Sequence, residues 1–172
     1  MSERKYAFNW ELLGNTAEGR PNLGDSVDVS VYRLMQFTLR DVLEETFGSE
    51  KADEVFLKAG KIAGAEFFHH FIAPVTDLAE FVNKTQAVLR EKSIGILRIE
   101  EAALEEGKIV LTIDEDLDCS GLPEIDTEVC IYDEGFISGL FECFTKKSWN
   151  AEEIDCWCTG ARTCRFLVTE AK

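Results

Sequence analysis

The chain has little of what most enzymes and nucleic-acid binders need. Its two histidines, His69 and His70, stand side by side, outside any recognisable catalytic motif. A hydrolytic triad requires a nucleophile, a base and an orienting acid, and nothing around this pair has that pattern. Neither the phosphate-cradling GxxxxGK nor the dinucleotide GxGxxG occurs. Basic residues are scarce: 18 Lys and Arg against 33 Asp and Glu leave a net charge of −15. That excess repels a phosphate backbone and no basic stripe offsets it, which argues against nucleic acid as a partner and for a soluble surface. No apolar run approaches the length of a membrane span. Met1-Ser-Glu-Arg-Lys5 leads into no apolar leader, so the expectation is a cytoplasmic protein with reduced thiols.

Cysteine, by contrast, is plentiful. Cys119, Cys130, Cys143, Cys156, Cys158 and Cys164 all lie in the last third. Reduced, clustered cysteines read as metal ligands or redox centres, although a free cysteine also serves as a small buried hydrophobe. The run Glu153-Ile-Asp-Cys156 is followed by Gly160 and Cys164, and Cys130 precedes it. Zinc takes four ligands from thiolate, imidazole and carboxylate. The spacing C-x3-G-x3-C allows a turn at Gly160 to set Cys156 and Cys164 facing each other across a hairpin. No CxxC pair is present, and Glu153 and Cys156, three apart, point to opposite faces of a regular strand. Spacing alone therefore leaves a metal site and a plain thiol core both open.

The hydropathy pattern is helical first and alternating later. Residues 1–25 are polar and Gly-rich, an extended arm with one short strand near Tyr6–Trp10; residues 26–172 form a single domain. Val29 to Phe47 has helical periodicity, with Asp28 to cap it and Gly48 to end it. A second helix runs from Ser49 to about Phe71. It carries Gly60 and Gly64 on one face, a pair that signals close packing of another backbone or room for a ligand. Pro74 breaks it, and a third helix runs from Asp77 to Glu91. Alternation then marks strands at Ile94–Glu101 and Lys108–Asp116. A fourth helix starts at Asp126 or Thr127 and ends near Lys147. The hairpin Ile154–Cys158 and Thr163–Thr169 closes the chain. This order predicts an α+β fold, an antiparallel sheet with helices packed on one face and a Cys-rich C-terminal hairpin.

The stretch Val129-Cys-Ile-Tyr-Asp-Glu-Gly-Phe-Ile-Ser-Gly-Leu-Phe141, followed by Glu153-x-x-Cys156-x3-Gly160-x3-Cys164-Arg-Phe166, resembles the C-terminal signature of the 4-vinyl reductase (V4R) domain family. Arg20-Pro-x-Leu-Gly24, Tyr32-Arg-Leu34 and Ala59-Gly-x-x-x-Gly64 agree with it, so the resemblance spans roughly residues 20–170. It implies the fold of phenol- and xylene-responsive sensor domains, shared with haem nitric-oxide-binding domains and Golgi transport-particle subunits. It also implies a structural zinc on Cys130, Glu153, Cys156 and Cys164. Cys119 and Cys158 fall outside the pattern, and Cys158, two residues after Cys156, is a competing ligand. Haem is not expected, because the Tyr-x-Ser-x-Arg clamp of the haem sensors is absent.

Function is expected to lie in binding. Aromatic residues on successive helices suggest a mostly apolar pocket for a small hydrophobic or aromatic molecule, lined by Gly64, Phe67, Phe68, His70, Phe71, Phe81, Tyr132 and Phe136. Tyr132 and His70 are its polar anchors. An aromatic stripe at helical spacing is equally the mark of solid core. The resemblance further implies a homodimer paired through the arm and the first helix. The competing readings are a scaffold subunit whose cavity holds an acyl chain, and a vinyl-group reductase that depends on an external electron donor.

Overall fold

A computed structural model describes residues 5–171. The chain divides within one long helix into two compact units, Met1–Phe37 and Thr38–Lys172. In the first unit a 3-10 turn, Trp10–Leu13, precedes the four-residue helix α1, Thr16–Gly19. The strand expected at Tyr6–Trp10 does not form. The Asn15 side chain instead accepts the Glu18 amide and caps α1, so local polar side chains direct this segment into turns. Helix α2, Val29–Phe47, begins here, with the Asp28 carboxylate accepting the Ser30 amide at 2.8 Å.

The second unit holds the rest. Helix α3 covers Ser49–Phe67 and continues as a π-helical segment, Phe68–Ile72, before the cis Ala73–Pro74 peptide. Helix α4, Leu78–Glu91, is capped by Asp77, and the Glu80 carboxylate reaches back to the Thr76 amide. Strands β1 (Ile96–Ala103) and β2 (Lys108–Asp114) form a hairpin; helix α5 covers Ile131–Thr145; β3 (Trp149–Asp155) and β4 (Cys164–Glu170) complete the sheet. The sheet has the order β1-β2-β4-β3 and is antiparallel throughout. The α+β architecture is as the sequence predicts.

Two packing relationships place the site. The first joins α3 to α5. Gly60 and Gly64 of α3 meet Gly135 and Gly139 of α5, and each glycine faces the backbone of the opposite helix. A Cβ on Gly60 would run into the Tyr132 carbonyl, on Gly64 into that of Phe136, on Gly135 into that of Leu57 and on Gly139 into that of Lys61. The buried face of α3 is thus Ala52, Phe56, Gly60, Gly64 and Phe67, and the helices approach as closely as their main chains allow. Gly64, expected beside a ligand, is occupied by this contact.

The second joins α5 to the edge strand β3. An edge strand exposes a row of unpaired amides, and here α5 covers them with its side chains. The Glu142 carboxylate accepts the Trp149 amide, the Ser138 hydroxyl accepts that of Ala151, and the Glu134 carboxylate accepts that of Glu153, at 3.2, 2.9 and 2.8 Å. Residues 134, 138 and 142 form one i, i+4 row on the helix, matched to every second residue of the strand. With α3 on one side and the sheet on the other, α5 buries Ile137, Leu140 and Phe141.

Candidate metal centre

The ladder from α5 to β3 ends at the N-terminus of the helix, where Cys130 is the capping residue. Its amide donates to Glu153 Oε2 at 3.4 Å. Helix and strand are therefore locked in the register that brings Cys130 beside Glu153. The fourth helix starts at Ile131, later than the sequence suggests, because Asp126 takes a left-handed conformation (φ 54°) that ends regular structure there.

Beyond β3 the chain makes a one-turn 3-10 helix, Trp157–Thr159. Thr159 and Ala161 donate their amides to the Cys156 carbonyl at 3.2 and 3.1 Å, and Gly160 closes the turn at φ 96°, a conformation that glycine adopts without strain. The turn delivers Cys164 to the start of β4, paired with Ile113 of β2. Cys156 and Cys164 do come together at the end of the β3–β4 hairpin, but the strand expected at Ile154–Cys158 is Trp149–Asp155, and Cys156 starts the turn instead.

Cys119 arrives from a different direction. After β2, Asp116 Oδ1 accepts the amides of Asp118 and Cys119 at 2.8 and 3.1 Å. This turn swings the Cys119 thiol inward, 3.0 Å from that of Cys164, while the Cys130 thiol lies 3.8 Å from Cys164. The sulfurs of Cys119, Cys130, Cys156 and Cys164 all lie within 4.8 Å of one another, and all four residues are buried. A tetrahedral zinc thiolate with bonds of about 2.3 Å has sulfur–sulfur edges of about 3.8 Å, so the donor set fits a single ion of that kind. Three of the four residues named from the sequence are joined by Cys119 in place of Glu153.

Glu153 is adjacent. It is 5% exposed, and its Oε1 has no hydrogen-bond partner. Burial, with the Cys156 charge next, pushes its carboxyl up to about 8. The thiols divide in the same way. Cys119, Cys130 and Cys164 hold Cys156 far below the ordinary thiol range, and hydrogen bonding to Cys119, Cys156 and Cys164 pushes Cys130 far above it. Cys158 is buried but outside the four-sulfur group; burial pushes it up to about 12. Its carbonyl accepts the amides of Ile125 and Asp126 and ties the preceding loop to the turn. Cys143 lies away from the centre, 3.7 Å from His69 Nε2.

The aromatic residues proposed as a pocket pack on one another. Phe67 meets Phe71 and Phe136, and Phe81 stacks on Phe144 at 4.5 Å and meets Phe141 and Phe68 edge-on or tilted. His70 is half-exposed beside Glu66. Burial raises the Tyr132 phenol to about 12. A cavity of about 10 Å³ lies between α4, α5 and the sheet, lined by Phe81, Thr85, Leu97, Leu111, Ile137 and Phe141 among others. Of the eight residues proposed as lining, Phe81 reaches it, as do Ile137, Leu140 and Phe141 of the stretch that carries the family resemblance. Such a volume holds about one water.

Comparison with known proteins places this arrangement. Residues 109–170 match the model of the V4R domain. The V4R match runs from β2 to β4 and contains every cysteine of the chain. Over 168 residues the chain is 25% identical to the uncharacterized protein MJ0150 of Methanocaldococcus jannaschii, covering 98% of this chain and 90% of that one. The crystal structure of a vinyl-4-reductase family protein from the same organism superposes with a TM-score of 0.63 at 14% identity, over 87% of this chain and 85% of that one. The phenol-responsive sensory domain of the transcription activator PoxR, solved with phenol, superposes with a TM-score of 0.62 at 16% identity, over 84% and 75%. At these identities the superpositions show a shared fold. Among the described residues, no helix is long and apolar enough to cross a membrane.

Proposed function

We propose that the chain is a small-molecule-binding domain of the sensor type, held together by a structural zinc ion. The observation that carries the metal half is the buried four-sulfur group, which gathers Cys119 from the loop after β2, Cys130 from the start of α5, and Cys156 and Cys164 from the hairpin. Four protein ligands leave no open position for substrate, which is the pattern of a structural site. Bound there, zinc supplies a cross-link among three segments distant in sequence. Glu153 stands beside the ion as an alternative donor, since its buried oxygen is otherwise unpartnered.

The ligand half draws on the V4R match and on the fold shared with a phenol-binding sensory domain. The small cavity between α4, α5 and the sheet is the nucleus of the site. The cavity is too small for a molecule the size of phenol, so binding requires its walls on α4, α5 and the sheet to yield. Because α5 also carries Cys130, the zinc anchors one of those walls. The partner is a second copy of the chain: Leu39, Val42 and Phe47 on α2 are 51, 55 and 62% exposed, an apolar surface available for pairing. A thermal-shift screen of phenols, larger aromatics and short acyl compounds tests the ligand reading. A true ligand at 100 times its Kd adds about 2.7 kcal/mol of stability. A screen without a single shift transfers the function to the scaffold reading.

A further inference from the structure

Next to the four thiols the protein buries a second set of donors. Asp116, Cys130 and Asp133 each offer one ligand atom, and these atoms lie within 4.8 Å of one another. Cys130 belongs to both sets. Asp133, in the first turn of α5, is 9% exposed, and its Oδ2 has no hydrogen-bond partner. Apart from burial, the groups that act on it most are Asp118, Asp116, Cys164 and Glu153, all acidic. Among the described residues no lysine or arginine pairs with it. A buried carboxylate is costly unless it is paired or coordinates a metal. Burial and then Asp118 and Asp116 push its carboxyl well above the usual carboxylate range, so the charge is accommodated only if a proton or a cation neutralises it.

The neighbouring carboxylate is already oriented. Asp116 Oδ1 accepts the amides of Asp118 and Cys119, which is how second-sphere hydrogen bonds fix a ligating group. The same turn sets Cys119 in the four-sulfur site, so the two sets of donors are mechanically joined at Asp116 as well as at Cys130.

We infer that Asp116, Cys130 and Asp133 hold a second divalent cation, with the Cys130 sulfur bridging it to the ion in the four-cysteine site. A thiolate bound to one ion keeps lone pairs for another. Two carboxylate oxygens and one thiolate form a mixed donor set suited to zinc and its neighbours. Three protein ligands leave one coordination position for water or for a polar group of a small molecule. The inference rests on the reading of the four cysteines as a zinc centre.

The test counts ions. The full chain is equilibrated with excess zinc, passed through a desalting column in the presence of a weak chelator, and examined by elemental analysis and native mass spectrometry. Two ions per chain are expected. One ion per chain overturns the second site and leaves the first standing; none overturns both. Asp133→Asn is expected to reduce the count to one, with the cobalt-loaded protein keeping the charge-transfer band of a four-thiolate site and losing only the contribution of the bridged ion. A second ion that persists in this variant is surface binding and overturns the proposal. Should the variant fail to fold, cadmium-113 NMR of the unaltered protein decides: two resonances are expected, one at the position of a tetrathiolate and one shifted by oxygen ligation, and a single resonance rejects the bridged pair.

Discussion

The thiol of Cys119 lies 3.0 Å from that of Cys164, although 45 residues separate them. Cys119 is delivered by the Asp116 turn and Cys164 by the hairpin, so the contact exists only when both are folded. On the zinc reading proposed above, this geometry favours Cys119 over Glu153 as the fourth ligand. In cobalt-loaded protein, Cys119→Ser should weaken and shift the thiolate charge-transfer band, while Glu153→Gln should leave it in place. The reverse pattern would return the carboxylate to the ligand set.

Loss of a central ligand should be felt as lost stability. Metal-binding free energy at a structural site is folding free energy, and Cys164→Ala removes a ligand that is buried against β2. We expect a zinc content well below one per chain and a fall in Tm of about 10 °C or more, given roughly 2–4 °C per kcal/mol for a domain of this size. Calorimetry with parallel elemental analysis checks it, and an unchanged Tm would remove the structural role.

Zinc uptake should release protons. The metal ligand is the thiolate; the neighbouring thiols and burial push Cys130 and Cys164 above the ordinary thiol range, while the neighbouring thiols push Cys156 below it. Titration of the metal-free protein with zinc in buffers of different ionisation enthalpy should report about three protons leaving per ion at the four-cysteine site. By the same coupling, affinity falls as pH falls. Uptake without proton release would mean that the thiols are not the ligands.

The glycine interlock should tolerate no side chain. Gly64→Ala and Gly139→Ala each place a methyl group against the main chain of the opposing helix, and overpacking of this kind costs about 1–3 kcal/mol. Gly19→Ala in α1, where an added Cβ meets nothing within 4 Å, is the control and should leave denaturant midpoints unchanged. Equal behaviour of all three variants would show that α3 and α5 have freedom to separate.

Pairing of two chains should depend on α2. Light scattering at micromolar concentration is expected to give the mass of a dimer, and Leu39→Glu to give a monomer with its fold retained in circular dichroism. A monomer in the unaltered protein ends the pairing proposal.

Much of the architecture follows from the sequence by itself. The switch from helical to alternating hydropathy sets the element order, and Asp28, Gly48 and Pro74 mark helix boundaries by local backbone chemistry. C-x3-G-x3-C determines the hairpin because Gly160 alone can take the left-handed turn between its cysteines. What the tertiary structure decided is which residues meet. The apolar residues of α2 read as a core stripe, yet they lie on the surface, since periodicity marks a face without saying what covers it. Gly60 and Gly64 were open to two readings until α5 supplied a matching pair of glycines. Cys119 carries no motif of its own; only the Asp116 turn and the antiparallel pairing of β2 with β4 bring it to Cys164. Buried Asp133 was invisible for the same reason. A charged residue in the first turn of a helix is locally ordinary, and it becomes unusual only when α3 and the sheet close on both sides of α5 and leave its carboxylate without a partner.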